Sequence, residues 1–176
     1  MRKNENNYSF IDGQNLNLGI QSLGWKLDFS RFRQYLKKKY AVTIAYYFIG
    51  YVSGNQDLYS FLQKAGCIFR FKPTIPDGDG NIKGNIDADL VLQAMIDLEN
   101  YDKAVIVTSD GDFYSLVKYL YKKNKLEYVI SPYEKTCSSL LKTSAKEKLI
   151  FIDNLRKKTR EKKAIIMKKH RRRTEP

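Results

Sequence analysis

The densest chemistry in the chain sits in Thr108-Ser109-Asp110-Gly111-Asp112, directly after the β-branched run Val105-Ile106-Val107. Two carboxylates two positions apart, flanked by hydroxyls and a glycine, are hard oxygen donors of the kind that suit a hard cation. Two more aspartates occupy comparable places. Asp12 ends the short apolar segment Tyr8-Ser9-Phe10-Ile11, and Asp87 opens an apolar-periodic stretch through Leu90, Val91, Ala94, Met95 and Leu98. Four carboxylates meeting in one crevice cannot all stay ionised without a counter-charge. Mg2+ or Mn2+ is the economical solution, and such an ion activates water and offsets charge on a phosphate. The only histidine, His170, lies near the C-terminus, so a histidine pair acting as general acid and base is excluded. Serine and cysteine triads lose their base for the same reason. Cys67 and Cys137 stand far apart, outside any metal-type spacing, and read as buried free thiols.

Whether the four aspartates meet depends on the elements that carry them. The pattern predicts strands at 8–11, 42–49, 67–71, 105–107 and 126–130. Between them it predicts a short helix after Asp12, a helix over 29–40 capped by Asp28, and one running to Ala65 and ended by Gly66. Further helices are expected from Asp87, over 113–123 and over 137–145. Residues 149–152 fit a strand or a helix. Residues 73–84, rich in Pro, Gly and Asp, predict a long loop in which Asp77 and Asp79 are turn residues. Strand–helix alternation predicts a mainly parallel sheet of about five strands, covered on both faces. In such a sheet the first and fourth strands commonly adjoin where the strand order reverses, and ligands bind at the carboxyl ends there. Asp12, Asp110 and Asp112 then share one crevice with Asp87 leaning over it. Asp89, two positions along the helix, is expected to face away.

Charge divides the chain. Of its 176 residues, 32 are Lys or Arg and 19 are Asp or Glu, a net charge of +13. Residues 156–176 hold 11 basic and 2 acidic side chains, or +9, which leaves 21 and 17, or +4, for residues 1–155. The expected organisation is one domain over 1–153 and a basic, helix-permissive tail over 154–176. The tail implies a polyanionic partner, with nucleic acid first among them. No apolar run is long enough for a membrane span and the N-terminus lacks the apolar core of a secretory signal, so a cytoplasmic setting is expected.

Three stretches together resemble one family. They are Phe10-Ile11-Asp12-Gly13-Gln14-Asn15-Leu16, Lys83-Gly84-Asn85-Ile86-Asp87-Ala88-Asp89-Leu90 and Val107-Thr108-Ser109-Asp110-Gly111-Asp112-Phe113. In order and spacing they are similar to the NYN domain family, in its LabA-like (DUF88) branch of the PIN-like nuclease superfamily. The resemblance spans roughly residues 7–153. It implies a three-layer α/β/α Rossmann-like sandwich and metal-dependent cleavage of RNA phosphodiesters. It places the family's acidic positions on Asp12, Asp87, Asp110 and Asp112, as metal ligands and catalytic groups. It gives Asn15 the task of orienting Asp12 or touching a substrate phosphate. Thr108-Ser109 stands where many members carry Ser-Gly, a change that removes no ligand. The basic tail lies outside the family pattern. The resemblance also allows a homodimer.

The reading that follows is an Mg2+- or Mn2+-dependent ribonuclease acting on single-stranded or structured RNA. Asn15, Ser109, Arg70, Lys72 and Lys83 are its candidate substrate contacts, and Tyr47, Tyr51 and Tyr114 its candidate stacking platforms. Charge alone does not separate RNA from DNA. The competing reading is a non-catalytic RNA-binding or adaptor module that keeps the acidic site. A haloacid-dehalogenase-type phosphatase ranks lowest, because Gln14 and Asn17 do not supply the second aspartate it needs two places after Asp12.

Overall fold

The computed structural model describes residues 5–50, 54, 56–72, 75–76, 82–83 and 86–152. Six parallel strands form one sheet: β1 (Asn7–Asp12), β2 (Val42–Gly50), β3 (Ile68–Lys72), β6 (Ala104–Val107), β7 (Leu126–Ser131) and β8 (Leu149–Phe151). Their spatial order is β3-β2-β1-β6-β7-β8. From β1 the chain winds outward through β2 and β3, then crosses back to β6 on the other side of β1. The order therefore reverses between β1 and β6, as the alternation predicts.

Among the described residues the sheet has six strands rather than about five. The ambiguous segment 149–152 supplies the sixth, pairing Ile150 with Ile130. Within the expected loop 73–84, Ile75–Pro76 (β4) and Ile82–Lys83 (β5) pair as a small antiparallel ladder, so part of that stretch is regular. Asp77 and Asp79 lie outside the described residues, as do Tyr51, Asp153 and the whole tail over 154–176.

Side-chain alternation along the strands feeds two cores. Phe10, Tyr46, Phe48, Ile106 and Val129 point to one face, where α4 (Ile86–Ile96), α5 (Tyr114–Lys122) and α6 (Ser139–Ala145) pack. Ile11, Tyr47, Val105, Val107 and Ile130 point to the other, beneath α1 (Gly13–Ser22) and α2 (Phe29–Tyr40), while Leu62 brings in α3 (Gln56–Lys64). Burial on both faces is why these strands read as continuous apolar runs. The helix limits follow ordinary capping. The Asp28 carboxylate accepts from the Arg31 amide at 3.0 Å, and Gly66 at φ 88° closes the turn after α3. No helix among the described residues is long and apolar enough to cross a membrane.

Register decides what meets at the carboxyl edge. Ile11 pairs with Val107, Val107 with Ile130, and Ile130 with Ile150. The residues one step further on, Asp12, Thr108, Ser131 and Phe151, form the rim of the sheet. Gly13 permits the immediate change from strand to helix after Asp12. A Cβ there would strike the Tyr47 ring and lie 2.8 Å from the Phe48 carbonyl oxygen.

Candidate functional site

The rim brings the four aspartates to the same region, in two different environments. Asp87, in the first turn of α4, joins Asp110 and Asp112 after β6. Each offers one carboxylate oxygen, and these oxygens lie within 4.8 Å of one another. Asp87 and Asp110 are half-buried, and Asp112 is exposed. Asp12 stands outside this group of three and is only 6% exposed.

Local hydrogen bonds hold the acidic stretch in place. The Asp110 carboxylate caps the 3-10 turn at Gly111–Phe113 by accepting from the Asp112 amide at 3.0 Å. The Asp110 amide donates to the Thr108 hydroxyl at 3.1 Å, and that hydroxyl donates to Asp12 Oδ2 at 3.0 Å. The other Asp12 oxygen accepts from the Asn15 amide at 3.0 Å, so Asp12 is also the N-cap of α1. Burial pushes the Asp12 carboxyl up to about 6; the two hydrogen bonds oppose the rise, and the charges of Asp87 and Asp110 add to it. That repulsion places Asp12 in the field of the other two.

Thr108 links Asp12 to Asp110, a positioning role that motif matching does not reveal. The available signal was a hydroxyl at the end of a strand beside the reversal point. Asn15 makes two separate contacts at the rim. Its backbone amide holds Asp12, while its side-chain oxygen accepts from both the amide (2.8 Å) and the hydroxyl (2.7 Å) of Ser109. Asn15 therefore ties α1 to the loop after β6. Replacing Asn15 with alanine leaves the Ser109 amide, in a residue 5% exposed, without its acceptor. Such a loss costs about 1–3 kcal/mol, at about 2–4 °C of Tm per kcal/mol, and thermal unfolding of Asn15→Ala measures it.

The other candidates disperse. Tyr47 is 1% exposed, and its ring packs edge-on to Phe29 and Phe69 in the core, so it is no platform for a base. Its hydroxyl donates to the Asn17 side chain at 3.3 Å. Tyr114, 40% exposed, begins α5 one residue after the capped turn. Arg70 is exposed on the edge strand β3, its guanidinium 5.4 Å from the centroid of the Tyr46 ring. It shares a recess with Phe48, Phe71, Leu92 and Asp89, which turns away from the trio as expected. Lys72 ends β3 and Lys83 ends β5, and both side chains lie outside the described set. The free thiols of Cys67 and Cys137 are buried, and burial pushes both above the ordinary thiol range, which makes neither a nucleophile.

Two clefts flank the trio. One, of about 410 Å3, is lined by Asn15, Ser22, Ser109, Asp110, Thr136 and Ser138, with Leu18 and the backbone of Gly19 and Gly111. Its far wall is the segment before α6, tied to the rim by the Ser138 amide donating to the Ser109 carbonyl at 3.0 Å. The other, of about 450 Å3, lies between α4 and the turn before α5 and is bordered by Asp87 and Asp112.

A doubly covered parallel sheet with carboxylates gathered at its reversal point defines a Rossmann-like α/β/α protein with an acidic centre. Comparison with known proteins narrows the class. The NYN domain family model matches residues 8–153, and the chain belongs to that family. NYN domains form part of the PIN-like nuclease superfamily, whose members generally use divalent metals. The chain is 29% identical over 133 residues to the low amplitude and bright protein LabA of Synechococcus elongatus, covering 69% of this chain and 71% of that one. A crystal structure of a protein of unknown function from Vibrio parahaemolyticus shares the fold, with a TM-score of 0.71 and 22% identity over 88% of this chain and 96% of that one.

Proposed function

We propose that the protein is an Mg2+- or Mn2+-dependent endoribonuclease, with Asp87, Asp110 and Asp112 as the metal-holding group and Asp12 completing the site from below. The carrying observation is the trio of carboxylate oxygens within 4.8 Å of one another, in a chain that belongs to the NYN domain family. The donor set fits the ion. It holds only hard oxygens, with no imidazole or thiolate, which favours Mg2+ or Mn2+ over zinc or copper. An ion held there would supply an activated water and offset charge on the scissile phosphate.

The chain's own groups account for the rest. Thr108 and the Asn15 amide fix the buried Asp12 carboxylate, and the Asp112 amide fixes Asp110. The hydroxyl-lined cleft offers Ser22, Ser109, Thr136 and Ser138 to a sugar-phosphate backbone. Labelled RNA incubated with the protein is expected to be cut when Mn2+ or Mg2+ is added and left intact in EDTA, with activity restored by excess metal. Cutting that persists in EDTA would overturn the reading, and metal-independent binding without any product would favour the adaptor alternative.

The polycationic segment supports a nucleic-acid substrate. Strand β8 runs parallel to its neighbours, so the chain leaves the described fold at Ile152, on the same edge as the carboxylates. Residues 156–176, which follow in the sequence, carry +9. Each cation that displaces a counterion from single-stranded RNA steepens the log–log salt dependence by about 0.7. A protein ending at residue 155 is expected to bind RNA more weakly and with a flatter slope. Fluorescence anisotropy across a KCl series measures both.

A further inference from the structure

We propose that the apolar recess beside the acidic trio is a subsite that holds one unstacked nucleobase of the RNA. The inference rests on the endoribonuclease reading and deepens it. The recess, about 450 Å3, is lined by Ala88, Val91, Leu92 and Met95 of α4 and by Phe113, and its border is Asp87 and Asp112. Those two carboxylates belong to the trio as well. A nucleotide whose phosphate sits at the trio therefore has this apolar floor immediately beside it.

The helix itself is unusual for a surface element. Leu92 is 58% exposed, Met95 37% and Ile96 63%, while Leu90 and Ala94 of the same helix are buried. Ordinary surface helices keep their outer face polar. Here Ala88, Leu92 and Met95, spaced four and three apart, form an apolar stripe that starts next to a carboxylate. Apart from the two border carboxylates, the lining presents no side-chain hydrogen-bonding group. Such a surface accepts a flat ring by stacking and dispersion without reading its hydrogen-bonding edge, and Met95 adapts to rings of different size. The volume lies within the range of small-molecule sites. A base inside a duplex must first be unstacked and unpaired, at a cost in free energy, so a base that is already unpaired enters more readily.

What lies beyond the recess fits the same occupant. Leu92 also lines the next recess, with Phe48, Phe71, Asp89, Gln93 and Arg70. Arg70 is exposed there, its guanidinium over the Tyr46 ring, where it meets a following phosphate beside one carboxylate, Asp89, rather than the three of the trio. The sequence of surfaces is then hydroxyl-lined cleft, acidic trio, apolar recess and guanidinium. That order suits a strand with alternating charged backbone and flat apolar bases.

The test uses the full chain, wild type and Leu92→Ser, with a mixed-sequence RNA 12-mer, its blunt duplex, and versions carrying a single abasic site at each position. Wild type is expected to cut the single strand and spare the duplex. Leu92→Ser is expected to raise KM by roughly 5–150-fold, the range expected for one stacked base, at an unchanged Tm. One abasic position should impose the same penalty on wild type and add little to Leu92→Ser. Full additivity of the two, equal KM values, or equal cutting of the duplex would each overturn the assignment. So would sedimentation showing that Leu92→Ser splits a wild-type dimer, because the stripe would then belong to a second copy. Failure of the nuclease reading is separately visible. Binding of the same 12-mers carrying 2-aminopurine, read in EDTA, reports the recess even if nothing is cut: a wild-type fluorescence change at one position that Leu92→Ser abolishes supports it, and its absence overturns it.

Discussion

Asp110→Asn is expected to reduce metal-dependent RNA cleavage by roughly 10²–10³-fold or more while leaving the fold intact. Loss of several kcal/mol of charge stabilisation at a metal-assisted phosphate reaction corresponds to that factor, at about 1.4 kcal/mol per decade. The structural role of the residue survives the change. Asp110 Oδ1 accepts from the Asp112 amide at 3.0 Å, and asparagine keeps an oxygen to do so. Its own amide still donates to Thr108. What disappears is one of three negative charges whose oxygens lie within 4.8 Å. In metal-free buffer the variant should therefore melt at the wild-type temperature or above it, because like-charge repulsion is relieved. Single-turnover cleavage of labelled RNA and a Mn2+ titration of thermal stability are the paired measurements. Wild-type cleavage by this variant would remove Asp110 from the site. A large fall in Tm would mean that the loss reports unfolding.

Much of this arrangement was legible in the sequence, for a physical reason. A parallel strand buried on both faces must be apolar throughout, so 42–49 and 105–107 declare themselves, and polar residues at their ends mark the rim. The Asp28 cap and Gly66 fix helix limits by local chemistry that needs no tertiary context. The fourth strand's place beside the first follows from topology, and with it the approach of Asp110 to Asp12. Residues 149–152 were ambiguous because a short apolar run fits a strand or a helix until a neighbour is known; β7 decides it.

Side-chain direction was less legible. Tyr47 and Tyr46 are adjacent in sequence, yet one enters the core under α1 and the other the opposite core, with the Arg70 guanidinium over its ring. Alternation puts them on opposite faces but does not say which face carries substrate. Asn15 and Thr108 show the same limit. Their partners are more than ninety residues away, so only the folded chain reveals that one holds Ser109 and the other Asp12. Depth was hidden as well. Asp12 reads like its three companions in the sequence, whereas the fold buries it and leaves Asp112 exposed.

That burial makes the pH behaviour of the metal-free protein depend on Asp12. Its carboxyl is raised from an ordinary value of 3.8 to about 6 in the folded chain, chiefly by burial. The folded state thus binds this proton more tightly than the unfolded state does. Its contribution to stability is complete below about pH 4, falls as pH rises, and is gone above about pH 6, a difference of about 3 kcal/mol at most. Asp12→Asn removes the titration. Asparagine keeps an acceptor for the Asn15 amide, but its amide group must face the Thr108 hydroxyl, which then needs a new acceptor, so part of the gain is returned. The net expectation is a variant about 1–3 kcal/mol more stable than wild type at pH 8 without metal, an advantage that shrinks towards pH 4. A divalent cation should reverse the ranking at pH 8, because it stabilises the wild-type charge and finds one fewer in the variant. Urea unfolding of both proteins at pH 4, 6 and 8, with EDTA or Mn2+, measures every part of this. Parallel stability–pH curves would show that Asp12 is already ionised in the fold at pH 4. In that case the cost of the buried charge is met by Thr108 and Asn15 alone, and Asp12 is a helix cap that owes nothing to the ion.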